Sequence, residues 1–220
     1  MLTFELINHS IPHLTISDTI GKAWQLFDEW PEFSHLAVTG HGKFTGLIGK
    51  KEIEEFNELT TLDSLPAFAI TQAVAHNEHF LSAVNFCNRF HTAVIPVINE
   101  ENEFIGCITS SDLLMHLGNF TGAASIGGII VLEIERSHFS ISEISRIAES
   151  NDAVILHLNT TTHTETGLLT ITVHLDKKDV SDIVATFERY QYTITGYFGS
   201  EKFEKEIQSN FLHLMNYLDI

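Results

Sequence analysis

The chain is poor in cysteine, proline and positive charge. Two cysteines in 220 residues, Cys87 and Cys107, both among apolar neighbours, exclude a disulfide framework or a cysteine-rich zinc site, and both read as packing thiols. Four prolines beside 44% apolar residues and 16 phenylalanines exclude a disordered chain and provide for a core. Twelve Lys plus Arg against 29 Asp plus Glu leave a formal charge of −17, which argues against nucleic acid and anionic membrane as partners. No window approaches the roughly 20 apolar residues of a membrane span. The start, Met1-Leu2-Thr3-Phe4-Glu5-Leu6, carries no basic leader, so a cytoplasmic protein is expected.

Catalytic and metal signatures are missing as well. The sequence has no HExxH, CxxC, Gly-x-Ser-x-Gly elbow or P-loop, and its 13 histidines read as scattered polar residues. No metal site and no enzyme are expected, because no nucleophile, base and orienting group can be assembled. Gly40-His41-Gly42-Lys43-Phe44-Thr45-Gly46 has dinucleotide-loop glycines at the wrong spacing and reads as a hairpin turn.

What the chain does have is a repeat. A shift of 60 positions sets Leu36-Ala37-Val38 on Pro96-Val97-Ile98, Phe44 on Phe104, Gly46-Leu47-Ile48 on Gly106-Cys107-Ile108, and Ala23 on Ala83. Each copy, about 1–60 and 61–118, reads as a helix (near 18–29 and 78–90), two short strands (35–39 with 45–49, 93–98 with 103–109) and a second helix. One such unit leaves an apolar sheet face bare, so the two copies are expected to pack together as one domain, 1–118.

Small residues over 119–128 suggest a linker. Beyond it the pattern is strand (Ile129–Glu135), helix (Ser140–Ser150), strand (Ala153–Asn159), strand (Leu168–Leu175), helix (Val180–Tyr190) and strand (Tyr192–Phe198), the βαββαβ ferredoxin-like split unit. Ser140-Ile141-Ser142-Glu143 predicts a reciprocal capping box, and Thr160-Thr161-Thr162-His163-Thr164 reads as a solvated hairpin loop. Phe203, Ile207, Phe211, Leu214 and Leu218 predict a closing amphipathic helix, packed on its own domain or on another subunit.

The segment richest in chemistry is Val94-Ile95-Pro96-Val97, followed by Glu103-Phe104-Ile105-Gly106-Cys107-Ile108-Thr109-Ser110-Ser111-Asp112. Thr109 is placed as a helix N-cap and Asp112 three residues on, so the pair can simply satisfy orphan backbone donors. The same geometry can also grip a ribose diol, with free N–H groups for a phosphate. Spacing leaves both open.

Two β-α-β-β-α units with an apolar-Pro-Val strand and a Gly-h-h-Thr-x-x-Asp ending resemble a tandem pair of CBS domains, a Bateman module. The resemblance implies a regulatory module that binds an adenosine-containing ligand, with Thr109 and Asp112 on the ribose, Val94, Ile95, Pro96 and Val97 beside the adenine, and His91 at a position that faces phosphate in relatives. The first copy departs from the pattern: Gly49 replaces the threonine and Glu52 the aspartate, with Lys50 and Lys51 between. The 129–220 region resembles an ACT domain, an amino-acid-sensing module. Its Arg136-Ser137-His138-Phe139-Ser140 lacks the glycine such sites use, so assembly is the more natural role.

The fold class expected is α+β: a CBS pair, an ACT-like domain and a C-terminal helix. The function expected is non-enzymatic sensing of an adenine nucleotide (AMP, ADP, ATP or an adenosyl compound, with Mg²⁺ if a polyphosphate) by a homodimer that acts on an unknown protein target. The alternatives are a dimerisation scaffold without a ligand and amino-acid sensing through the ACT-like domain.

Overall fold

The computed structural model describes residues 1–199, which fall into two compact units divided between Leu117 and Gly118. The terminal helix expected through Phe203 and Leu218 lies outside the described residues.

In the first unit the repeat becomes two small three-stranded sheets of the same topology. The first copy runs β1 (His13–Thr15), α1 (Ile20–Glu29), β2 (His35–Gly40), β3 (Lys43–Gly49) and α2 (Lys50–Ile53). The second runs β4 (Val74–Ala75), α3 (Leu81–Phe90), β5 (Val94–Ile98), β6 (Phe104–Thr109) and α4 (Ser110–Phe120). Each sheet has its middle strand paired parallel to the first and antiparallel to the third.

Register refines the alignment. Ala37 faces Leu47 as Pro96 faces Cys107, and Val38 faces Gly46 as Val97 faces Gly106. In the middle strand, then, Leu36-Ala37-Val38 matches Ile95-Pro96-Val97, one residue short of the 60-residue shift. The second copy has a shorter helix-to-strand connection and a longer hairpin, so the offset slips and then recovers. At the first hairpin His41 and Gly42 both take positive φ, the two-residue turn that suits the twist of paired strands.

The copies complete each other. Leu62 N–H bonds Asp18 O and Asp63 N–H bonds Ile16 O, while Thr3 N–H bonds Glu78 O and Phe4 N–H bonds His76 O. Further along, Ala69 N–H bonds Leu47 O on the edge of β3, as Asn8 N–H bonds Cys107 O on the edge of β6. Residues 2–11 therefore lace the second copy, and residues 61–70 lace the first. Neither third strand is left as a bare edge. Leu14, Ile20, Phe27, Leu36, Ile48, Phe80, Ile95 and Ile108 are fully buried in one shared core, each contributing about 1.5–3 kcal/mol of transfer energy.

The first copy's closing helix is much shorter than its counterpart. α2 has four residues, against eleven in α4. Glu54 and Glu55 follow at its C-terminal end, where the helix dipole disfavours anions, and Asn57 turns back to take the Leu59 N–H at 2.9 Å.

The second unit holds β7 (Gly128–Ile134), α5 (Ile141–Ser150), β8 (Ile155–Thr162), β9 (Leu169–Leu175), α6 (Ser181–Arg189) and β10 (Thr193–Phe198). Strand order is β10-β7-β9-β8, every neighbour antiparallel, the topology of the expected split unit. Ile130, Leu132, Ile171 and Val173 from the sheet and Ile144, Ile147, Ile183 and Phe187 from the helices make its core.

Three local expectations change here. Thr160, Thr161 and Thr162 are not loop but strand, paired with Ile171, Thr170 and Leu169, because β-branched residues suit an exposed strand; the turn follows at His163 to Gly167. The 119–128 stretch divides between the end of α4, a turn held by Ala123 N–H on Gly118 O, and the first residue of β7. The capping box is half formed. Ser140 Oγ accepts the Glu143 N–H at 3.3 Å, but the Glu143 carboxylate takes the Tyr192 hydroxyl at 2.9 Å instead of returning to the cap.

Candidate functional site

β6 delivers Thr109 to the N-cap of α4, where its side chain is buried, 6% exposed. Its Oγ accepts the Asp112 N–H at 3.0 Å and donates to Asp112 Oδ2 at 2.7 Å. The Ser111 hydroxyl lies 2.8 Å away and, with the Thr109 proton committed to Asp112, is the donor of that pair. Thr109 is thus spent on its own helix end. Asp112 is half-buried, and its Oδ1 has no hydrogen bond among the described residues. Of the two groups expected to meet a sugar, the threonine is occupied in holding the aspartate, and one aspartate oxygen is without a hydrogen bond among the described residues.

Val94, Ile95 and Val97 are fully buried and Pro96 is buried, so this strand offers an incoming ring no side-chain surface. Its backbone is another matter. β4 pairs only with Val97 and Ile98, so the ladder on that side of β5 stops short of Val94, Ile95 and Pro96. The neighbouring polar group, Thr92, is buried and bonds the Val94 backbone. His91 takes a left-handed conformation at φ 50° as the C-cap of α3, with its side chain exposed. That is a chain-reversing role, one that sequence spacing did not reveal.

The first copy holds different chemistry at the equivalent place. Gly49 caps α2, and Glu52 reaches back to accept its N–H at 2.9 Å. A Cβ on Gly49 would fall 2.5 Å from Glu52 Oε2 and 3.1 Å from the His35 ring, so no threonine fits there without displacing both. Burial pulls the His35 imidazole below its ordinary pKa, and the Glu52 charge partly offsets this. Ser34 Oγ lies 2.9 Å from His35 Nδ1. Lys50 Nζ sits 5.2 Å from the Phe27 ring centroid, a cation–π contact, so this lysine is engaged with its own core.

Glycine matters at the middle of each third strand. A Cβ on Gly46 would stand 2.5 Å from Phe68 Cβ, and one on Gly106, at φ 147°, would stand 2.4 Å from Ile7 Cγ2. The Gly that begins each Gly-h-h motif is therefore where the lacing segment of the partner copy lies against the sheet. Sequence reasoning had no signal for this, because the two contacting residues, Phe68 and Ile7, fall outside the aligned repeat.

Among the described residues no group of three or more His, Cys, Asp or Glu is placed to hold a metal ion, and no helix is long and apolar enough to cross a membrane.

The sequence model of the CBS domain matches residues 77–119. No curated protein matches the chain. Among solved structures, a CBS domain pair/ACT domain protein from Thermotoga maritima is similar over 55% of this chain and 98% of its own, at 16% identity and a TM-score of 0.51. The CBS pair of a putative Mg²⁺ transporter from Shewanella oneidensis is similar over 54% of this chain and 71% of its own, at 20% identity and a TM-score of 0.48. A putative acetoin utilization protein from Vibrio cholerae covers 56% and 95%, at 14% identity and 0.46. The twofold β-α-β-β-α architecture and the motif at Gly106 to Asp112 thus agree with both comparisons: residues 77–119 match the CBS domain model, and the first unit has the fold of a tandem CBS pair.

Proposed function

We propose that this protein is a non-enzymatic regulator whose second CBS copy binds an adenine nucleotide, and that binding changes how the chain engages a protein target. CBS pairs in general are regulatory and bind adenosine-containing ligands. The observation that supports the reading is the Thr109 to Asp112 arrangement, which fixes a carboxylate at a strand-to-helix turn with one oxygen unspent. The first copy offers no hydroxyl at Gly49, and its Glu52 carboxylate is turned back onto the Gly49 N–H, so one nucleotide per chain is expected. With a charge of −17, a ligand with few phosphates suits the protein better than ATP, unless Mg²⁺ accompanies it. A shift of state follows only from tighter binding to one arrangement than to the other.

A scaffold without a ligand is the competing reading, favoured by the full occupation of Thr109 and the burial of Val94, Ile95 and Val97. Thermal unfolding against AMP, ADP, ATP and S-adenosylmethionine, with and without Mg²⁺, separates the two. A ligand that binds only the native state raises the melting temperature in proportion to the logarithm of its concentration. A rise that grows with the logarithm of concentration for any of these supports sensing, and none with all of them leaves the scaffold.

A further inference from the structure

The two copies share a geometry but differ on the outer face of their first helix. In the first copy that face is closed: Lys22 Nζ donates to Asp18 at 2.8 Å, and Gln25 Nε2 to Glu29 at 2.9 Å. The 60-residue repeat puts Glu78, Ser82, Asn85 and Arg89 at the corresponding places in the second copy, and there the side chains close on nothing. With Gln72 they line an open cavity of about 290 Å³, walled on its apolar side by Phe86 and Phe90. Among the described residues, none of these five polar side chains makes a hydrogen bond or ion pair with the protein. The Arg89 guanidinium lies 5.2 Å from the Phe90 ring centroid, a cation–π contact.

Arg89 is also the one Lys or Arg between residues 52 and 135. In so acidic a chain, an unpaired guanidinium beside unspent amide and hydroxyl donors is a conspicuous departure from its own pseudo-symmetric counterpart. Asn85 and Arg89 stand at i, i+4 on α3 and so share a face. We infer that this cavity is a binding site for a small anion, a carboxylate or a phosphate, held in the fork of Arg89 and by the Asn85 amide. The planar fork matches both anions bidentately. Glu78, which also lines the cavity, selects a ligand that carries a hydrogen-bond donor as well as the anion. None of Thr109, Asp112 or Val94 to Val97 lines this cavity, so the site stands independently of the nucleotide reading.

The test titrates the full chain with inorganic phosphate and, separately, with 4-aminobutyrate, each against sodium chloride at equal ionic strength, following thermal unfolding. The account expects a rise above the chloride control that grows with the logarithm of concentration for at least one of them, the responding probe deciding between phosphate and carboxylate. Arg89→Gln is expected to weaken that response about tenfold or more while leaving any AMP response in place. A second variant, Ser82→Lys with Asn85→Gln and Arg89→Glu, imports the first copy's closed pairs and is expected to melt no lower than the wild type yet lose the response. No rise above the chloride control with either probe, or a rise that survives in both variants, overturns the site.

Discussion

The Thr109 hydroxyl stands between two atoms of one residue, accepting the backbone N–H of Asp112 at 3.0 Å and donating to its carboxylate at 2.7 Å. The closed ring makes threonine a positioning residue: whatever Asp112 does, it does in an orientation set here. Thr109→Val is expected to cost about 1 kcal/mol in urea unfolding, the worth of an N-cap, whereas Thr109→Ser keeps most of it. Equal stability of Val and Ser variants contradicts the capping role.

The lacing segments give a sharper contrast. Gly46→Ala drives a methyl into Phe68 Cβ, and Gly106→Ala drives one into Ile7 Cγ2, each expected to destabilise by about 1–3 kcal/mol. At Gly106 the positive φ of 147° adds backbone strain. Double-mutant cycles therefore differ: Phe68→Gly is expected to rescue most of the Gly46→Ala loss, while Ile7→Ala rescues only the steric share of the Gly106→Ala loss. Simple additivity in both cycles contradicts the crossed packing of residues 2–11 and 61–70.

Cysteine chemistry follows from burial. Cys107 is 1% exposed and its thiol is pushed up to about 12, so it holds no thiolate at neutral pH. Cys87 is half-buried, with its Sγ donating to Thr92 O at 3.2 Å, and is raised for the same cause to a lesser degree. Alkylation followed by peptide mass spectrometry is expected to label Cys87 slowly in the native protein and Cys107 only after unfolding. Equal labelling rates contradict this.

In the second unit, Tyr192 donates to Glu143 at 2.9 Å. Burial, then this bond and the Glu143 charge, push the phenol well above its ordinary value of 10. The folded state therefore holds the proton more tightly than the unfolded one. The resulting stabilisation is complete below pH 10 and is lost as pH rises from there toward the folded-state value. Stability of the wild type is expected to fall above pH 10, and Tyr192→Phe to be about 1 kcal/mol less stable at neutral pH with a shallower alkaline fall. An unchanged alkaline slope in the variant sinks the assignment.

Much of this was readable in the residues. The 60-residue repeat announced the twin sheets, since apolar strands and Gly-h-h motifs recur at fixed spacing, and the six elements of the second unit followed from alternating and 3.6-residue patterns. What sequence hid was non-local. Nothing at Ile7 or Phe68 marks them as covers for Gly106 and Gly46, because an edge bond between distant segments leaves no periodic trace. Glu143 showed a capping-box spacing but was diverted by Tyr192, 49 residues on. At the candidate site, Thr109 and Asp112 were identifiable as a pair, but which of their oxygens is spent depends on side-chain geometry that spacing does not carry.

The central claim is most directly tested by isothermal titration of AMP into the wild type and into Asp112→Asn, a change that removes the carboxylate charge while keeping its shape. The account predicts a single site per chain in the wild type and binding weaker by about tenfold or more in the variant. Indistinguishable affinities in the two proteins, or no binding heat in either, contradict it.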